Sequence, residues 1–181
     1  MKTPIWIALL LTSFSISLMA NSFTLASDDI QGQLSIAQEF NSFGCKGENK
    51  SPQLQWTNPP KGTKSFAITI YDPDAPTGSG WWHWLLINID KNTSTIPSNA
   101  SASHNLPKGA IETMTDYGSA TFGGACPPQG DKAHAYFFTI YALDIETLAL
   151  TSKIDSALVG YMINQHTIEK ATIVSYYGRG E

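Results

Sequence analysis

Hydrophobic and polar positions along the chain predict a β-rich fold. Phe66–Tyr71 (FAITIY), Trp82–Ile89 and Ala135–Leu143 (AYFFTIYAL) are β-branched and aromatic runs, apolar on both faces. Such runs predict buried, central strands. Phe23–Ser27 alternates apolar and polar residues and predicts a first strand; Leu54–Trp56 predicts a short one that stops before Pro59-Pro60. Ile154, Leu158, Tyr161, Met162 and Gln165 recur near helical spacing. They predict a helix over Asp155–Lys170, capped by Ser152 or Asp155. Ile173–Tyr177 predicts a last short strand. Residues 28–52 and 91–108 lack an apolar period and predict surface loops, and 111–122 is weakly patterned. The sum is a mainly β fold, a β-sandwich or sheet core with one or two helices at its periphery.

The first twenty residues stand outside this pattern. Met1-Lys2 starts with a positive charge, and Ile5–Met19 is apolar and uncharged. This is the form of a secretory signal peptide. The run falls short of the roughly 18 unbroken apolar residues of a membrane span, and Thr12, Ser13, Ser15 and Ser17 interrupt it. Cleavage after Ala20 is favoured over cleavage after Ala26, because it leaves the first strand whole. Residues 21–181 then form a single domain, periplasmic or secreted, with no integral membrane segment.

Composition narrows the partners. Hydrophobic residues make up 42% of the 181 and charged residues 14%, enough for a sizeable core. Loss of the leader removes Lys2 alone among charges, leaving ten basic against fifteen acidic side chains; Arg179 is the only arginine. Nucleic acid is therefore a poor partner, since phosphate backbones are bound by lysine and arginine clusters. The two cysteines, Cys45 and Cys126, both lie in the exported part. An oxidising compartment favours a disulfide between them over two free thiols. Such a long closed loop is worth about 4–5 kcal/mol in the chain-entropy model.

Candidate chemistry gathers in two stretches. In the first, Asp72 and Asp74 flank Pro73 at the end of a strand. Proline keeps Asp72 extended, so the two carboxylates project to one side. Either they line a site or they cap a local turn by accepting backbone N–H bonds. The Gly78-Ser79-Gly80 turn returns the chain so that His83 meets them. Strict alternation puts His83 on one face with Leu85 and Ile87. In the second stretch, Gly123-Gly124-Ala125-Cys126-Pro127-Pro128 offers backbone N–H groups to an anion, and His134 shares a face with Tyr136. Asp72, Asp74, His83 and His134 would satisfy a metal's ligand list, but no HxH or HExxH spacing accompanies them. No metal or cofactor is expected. Ser79 lies outside a G-x-S-x-G turn and Cys126 is expected to be oxidised, so nucleophilic catalysis fits poorly. Trp81, Trp82 and Trp84 are either a ligand platform or, by default, core.

Taken together, YDPDAP, WWHW, GACPPQG and His134-Ala-Tyr136, with FGCKGENKSPQLQW upstream and ALVGYM downstream, resemble the phosphatidylethanolamine-binding protein family, also called Raf kinase inhibitor-like. They are most similar to its exported YbhB/YbcL-type bacterial branch. The resemblance covers about residues 23–177. It implies an antiparallel β-sandwich with a few peripheral α-helices. It also implies a non-enzymatic binding or modulatory role through a pocket for small anions and phosphate-bearing head groups. Asp72, Asp74, His83, Gly124, Pro128, His134 and Tyr136 occupy the matching positions. Cys126 departs from the glycine that many members carry, and a bond to Cys45 would brace the pocket's rim. The chain ends soon after Tyr177, without the longer C-terminal helix of eukaryotic members; that and export argue against kinase inhibition. Two alternatives remain: an inhibitor of a protein target acting through surface loops, and a metal-dependent hydrolase.

Overall fold

The computed structural model describes residues 22–180; the expected signal peptide lies outside them. Two antiparallel sheets face each other. The small sheet holds β1 (Thr24–Ala26), β2 (Leu54–Thr57) and β5 (Thr95–Ile96) in the order β1-β2-β5. The large sheet holds β3 (Ser65–Asp72), β4 (Trp81–Asp90), β6 (Ile111–Glu112), β7 (His134–Leu143) and β8 (Thr167–Tyr177), ordered β6-β4-β3-β7-β8. The doubly apolar strands β4, β3 and β7 occupy its middle, as their composition requires. Leu25, Leu54, Trp56 and Ile96 of the small sheet pack on Phe66, Ile68, Trp84, Phe138 and Ile140 of the large one. The opposite face of the large sheet buries Ala67, Leu85, Ile87 and Leu143 beneath α1 (Ser156–His166), through Val159 and Ile163. Three layers therefore share the central sheet, which explains why its inner strands show no polar face.

Three sequence expectations change. The helix expected over Asp155–Lys170 ends at His166, although Asp155 caps it as expected by accepting a hydrogen bond from Leu158 N at 3.0 Å. Residues 167–170 belong instead to β8, which pairs with β7 from Leu143–Thr167 to His134–Tyr177. The open edge of β7 supplies a long ladder, and the β-branched Thr167, Ile168, Thr172, Ile173 and Val174 suit it. This tertiary pairing overrides the helical look of Glu169-Lys170-Ala171. Second, α1 is the single α-helix among the described residues, which fits the one or two that the pattern predicts and is fewer than the few that the resemblance implies. Third, the expected loop 91–108 contributes β5, whose Ile96 is fully buried opposite Leu54.

Two irregularities bend β4. The pairing steps from Ile70–Trp84 to Tyr71–Trp82, so His83 opposes no residue of β3. A bulge of this kind places two residues of one strand against one of its neighbour and re-aims a side chain. The second lies near Asn88, which takes φ 59°. Its side chain closes a reciprocal pair with the Leu148 backbone, accepting from N at 2.8 Å and donating to O at 3.2 Å. No helix among the described residues is long and apolar enough to cross a membrane.

Candidate functional site

The bulge at His83 decides the site. Strict alternation groups His83 with Leu85 and Ile87, but those two pack under the helix while His83 turns to the other face. There its ring meets Tyr136 of β7 and Tyr117 edge-on, with centroids 5.1 and 5.5 Å apart. Asp72 ends β3, and His134 and Tyr136 start β7, so the strand ends bring these four side chains together. They line a cleft of about 160 Å3. Pockets for drug-sized ligands are roughly 300–1,000 Å3, so this cleft suits a smaller molecule.

Asp72 does both things that its sequence context allowed. Its Oδ1 accepts from Asp74 N at 2.8 Å and Ala75 N at 3.1 Å, which is the local turn. Its Oδ2 accepts from His134 Nδ1 at 2.8 Å, with both side chains buried. Because a carboxylate only accepts, Nδ1 carries the proton of that bond. His134 Nε2, the nitrogen not paired to Asp72, lies 3.7 Å from Asp131 Oδ2.

Asp74 stands outside the cleft lining. Its Oδ2 accepts from Ala135 N at 2.9 Å, and its Oδ1 faces Lys132 Nζ at 3.4 Å. The Ala135 N–H above all, with Lys132 adding to it, holds its carboxyl below the usual 3.8. Asp74 thus fixes the start of β7, which carries His134 and Tyr136.

Gly124 lies behind the cleft wall. Its N–H, which the glycine turn was expected to offer to an anion, donates to Asn49 Oδ1 at 2.7 Å. Its carbonyl accepts from Tyr117 OH at 2.8 Å and, with Gly123 O, from His83 Nδ1 at 3.1 and 2.9 Å. A Cβ at Gly124 would stand 2.2 Å from Gln38 O, so only glycine lets this loop approach. Pro128 lines the cleft.

Three polar atoms of lining residues are buried without a protein partner: His83 Nε2, Tyr136 OH and Trp81 Nε1. Buried polar groups are normally paired, so three unpaired ones on residues lining a single cleft mark it as the candidate ligand site. Burial depresses the His83 pKa despite the Gly123 and Gly124 carbonyls and the Asp72 and Asp116 charges. Burial, with the Asp72 charge, pushes the Tyr136 phenol upward, so it stays an O–H donor.

A disulfide between Cys45 and Cys126 forms the rim, joining residues 81 apart. Backbone bonds reinforce it: Phe40 N donates to Ala125 O at 2.9 Å and Ala125 N to Gln38 O at 3.0 Å. Arg179 adds a clamp, donating from Nε to Pro127 O at 2.7 Å and from Nη1 to Gly44 O at 3.2 Å. Behind the rim, the buried Glu39 carboxylate accepts from Lys46 N at 2.7 Å and from Tyr177 OH. Burial and that carboxylate push the Tyr177 phenol up to about 12.

Sequence reasoning missed Phe43 and Tyr117 as lining residues. Phe43 is 68% exposed at φ 55° and packs on Phe40 and Tyr117. An aromatic residue at positive φ is a genuine outlier, and only its place before Gly44-Cys45 hinted at it. The three tryptophans divide: Trp81 lines the cleft, Trp82 packs on Tyr71, and Trp84 is core. Among the described residues, no three carboxylate, imidazole or thiol groups are placed to hold a metal ion.

Comparison with known proteins agrees with this architecture. A family model described as phosphatidylethanolamine-binding protein matches residues 26–178. The UPF0098 protein YbcL of Escherichia coli strain K12 is 46% identical over 181 residues, covering 98% of each chain. The UPF0098 protein YbhB of the same strain is 43% identical over 139 residues, covering 76% of this chain and 87% of that protein. A crystal structure of E. coli YbcL, described as a new member of the mammalian PEBP family, superposes with a TM-score of 0.84. It is 48% identical and covers 86% of this chain and 98% of its own.

Proposed function

The chain belongs to the phosphatidylethanolamine-binding protein family, and we propose on that footing that it is an exported binding or modulatory protein, not an enzyme, whose cleft takes a small anionic or phosphate-bearing head group. The observation that carries this reading is that three residues lining one cleft, His83, Tyr136 and Trp81, each hold a buried polar atom (Nε2, OH and Nε1) without a protein partner, in the cleft that Asp72 and its partner His134 also line. Tyr136 and Trp81 supply N–H and O–H donors for ligand oxygens. Asp72 orients His134, Pro128 bounds the cleft, and Asp74 and Gly124 hold its walls. The lining lacks an activated nucleophile: Cys126 is in a disulfide, and the Thr77 hydroxyl donates to Gly80 O. A nucleophile needs an adjacent base.

Export rests on the leader-like first twenty residues and on the disulfide. β1 begins at Thr24, so cleavage after Ala20 leaves it whole and cleavage after Ala26 removes it. Calorimetric titration with phosphoethanolamine tests the reading. One site per chain is expected, weakened at least tenfold by Tyr136→Phe; no heat of binding at millimolar ligand would contradict it.

A second reading, a protein target bound through surface loops, draws on Phe43, which is 68% exposed where it lines the cleft and packs on Phe40 and Tyr117. Exposed apolar residues of this kind mark interaction sites when they cluster. Under that reading a captured partner stays bound to the His134→Ala protein.

A further inference from the structure

Resting on the anion-cleft reading above, we propose that the cleft selects a phosphate monoester carrying one proton over oxyanions that have no proton to give, such as sulfate and phosphodiesters, with that proton shared between a ligand oxygen and His83 Nε2. His83 Nδ1 lies 2.9 Å from Gly123 O and 3.1 Å from Gly124 O. Carbonyl oxygens only accept, so Nδ1 carries a hydrogen. In the neutral ring, Nε2 is then a bare acceptor. It belongs to a side chain only 3% exposed and has no protein partner.

The groups around the ring do not supply a cation to reverse this. From β3 comes Asp72, from the loop after β6 come Asp116 and Tyr117, and from β7 come His134 and Tyr136. The two carboxylates favour a charged ring, but burial outweighs them and lowers its pKa, favouring the neutral form. Among the described residues, no lysine or arginine lines the cleft. A fully deprotonated oxyanion would therefore set an acceptor oxygen against the Nε2 lone pair. It would also bring charge into a site without a fixed positive partner, which is unfavourable.

A phosphate monoester avoids the first problem, and as its monoanion it brings no more charge than a phosphodiester. Its second ionisation lies near pH 6, so close to neutrality its monoanion brings an O–H for Nε2. Its other oxygens accept from Tyr136 O–H and Trp81 N–H. Above that pH, binding requires one proton to be taken up, whether it rests on the ligand or on the ring. Sulfate and dialkyl phosphates have no such proton, and their binding would force His83 to charge against the cost of burial.

Calorimetric titration of the purified protein with methyl phosphate, dimethyl phosphate and sulfate tests this at pH 6, 7 and 8, each in two buffers of different ionisation heat. By linkage, methyl phosphate should bind about tenfold more weakly at pH 8 than at pH 7 and take up close to one proton at pH 8. Dimethyl phosphate and sulfate should each bind at least tenfold more weakly than methyl phosphate at pH 6. Equal, pH-independent binding of methyl phosphate and sulfate overturns the inference while leaving an anion cleft in place. Absence of binding by all three anions at pH 6 removes the anion-cleft reading itself. A folded His83→Gln protein should lose the pH slope; a slope retained there overturns the assignment to His83.

Discussion

Asp72 Oδ2 lies 2.8 Å from His134 Nδ1, tying the end of β3 to the start of β7 across 62 residues of chain. The same carboxylate also closes the turn at Asp74 and Ala75. Removing it leaves a buried imidazole N–H and two turn N–H groups unpaired. Asp72→Ala should lose about 3 kcal/mol or more in urea unfolding, since each hydrogen bond to a charged group contributes about 1.5–3 kcal/mol. Asp72→Asn keeps an oxygen for the turn and should cost less.

The disulfide joins the loop carrying Phe43 to the loop carrying Pro127 and Pro128. Thiol titration of denatured, unreduced protein should find no free thiol. Replacing both Cys45 and Cys126 with serine should lower stability by about 4–5 kcal/mol, the chain-entropy value for a loop of this length. Two free thiols per chain would remove the bracing role.

Gly124→Ala tests the close approach of the two loops. The added Cβ would stand 2.2 Å from Gln38 O, a backbone atom held by its bond from Ala125 N. Overpacking of this kind costs about 1–3 kcal/mol, occasionally more. A thermal midpoint equal to wild type would show that the loops separate freely. Gly32→Ala has open space around its Cβ, and any loss there comes from its φ of 83° alone.

Much of this was legible in the sequence, and the gaps have physical causes. β3, β4 and β7 announced themselves because both their faces are covered. Of β8 only Ile173–Tyr177 did; its first half did not, because an edge strand keeps exposed Glu169 and Lys170, and its register comes from β7 rather than from its own pattern. The gathering of Asp72, His83 and His134 around one cleft followed from motifs at the strand ends. The face that His83 occupies depends on a one-residue bulge, which no periodicity reveals. Asp74 and Gly124 were read as lining residues, but their polar groups are spent on Ala135, Asn49, His83 and Tyr117. Tyr117 lies in a segment without pattern, placed by the loop's hydrogen bonds instead.

Stability should fall in two steps as pH is lowered. His83 titrates below its ordinary 6.5 when folded. The unfolded chain then binds a proton that the folded one refuses, and stability drops as pH falls below 6.5. Asp74 has a depressed folded pKa, so its contribution is present above the usual carboxylate range and is lost as pH falls below 3.8. Urea midpoints measured from pH 8 to pH 3 should show both slopes. His83→Asn should flatten the first and Asp74→Asn the second; unchanged slopes would contradict the assignments.

The most direct test of the cleft uses the chain's four histidines, His83, His104, His134 and His166. Imidazole NMR resonances are followed while phosphoethanolamine is added to the purified protein at pH 6. Ligand in the cleft should shift His83 and His134 together, with one shared dissociation constant. His104, in an exposed turn, and His166, paired with Asp144 at the end of α1, should stay in place. Shifts confined to His104 or His166, or no shift at all at saturating ligand, would contradict a phosphate-binding cleft at Asp72, His83, His134 and Tyr136.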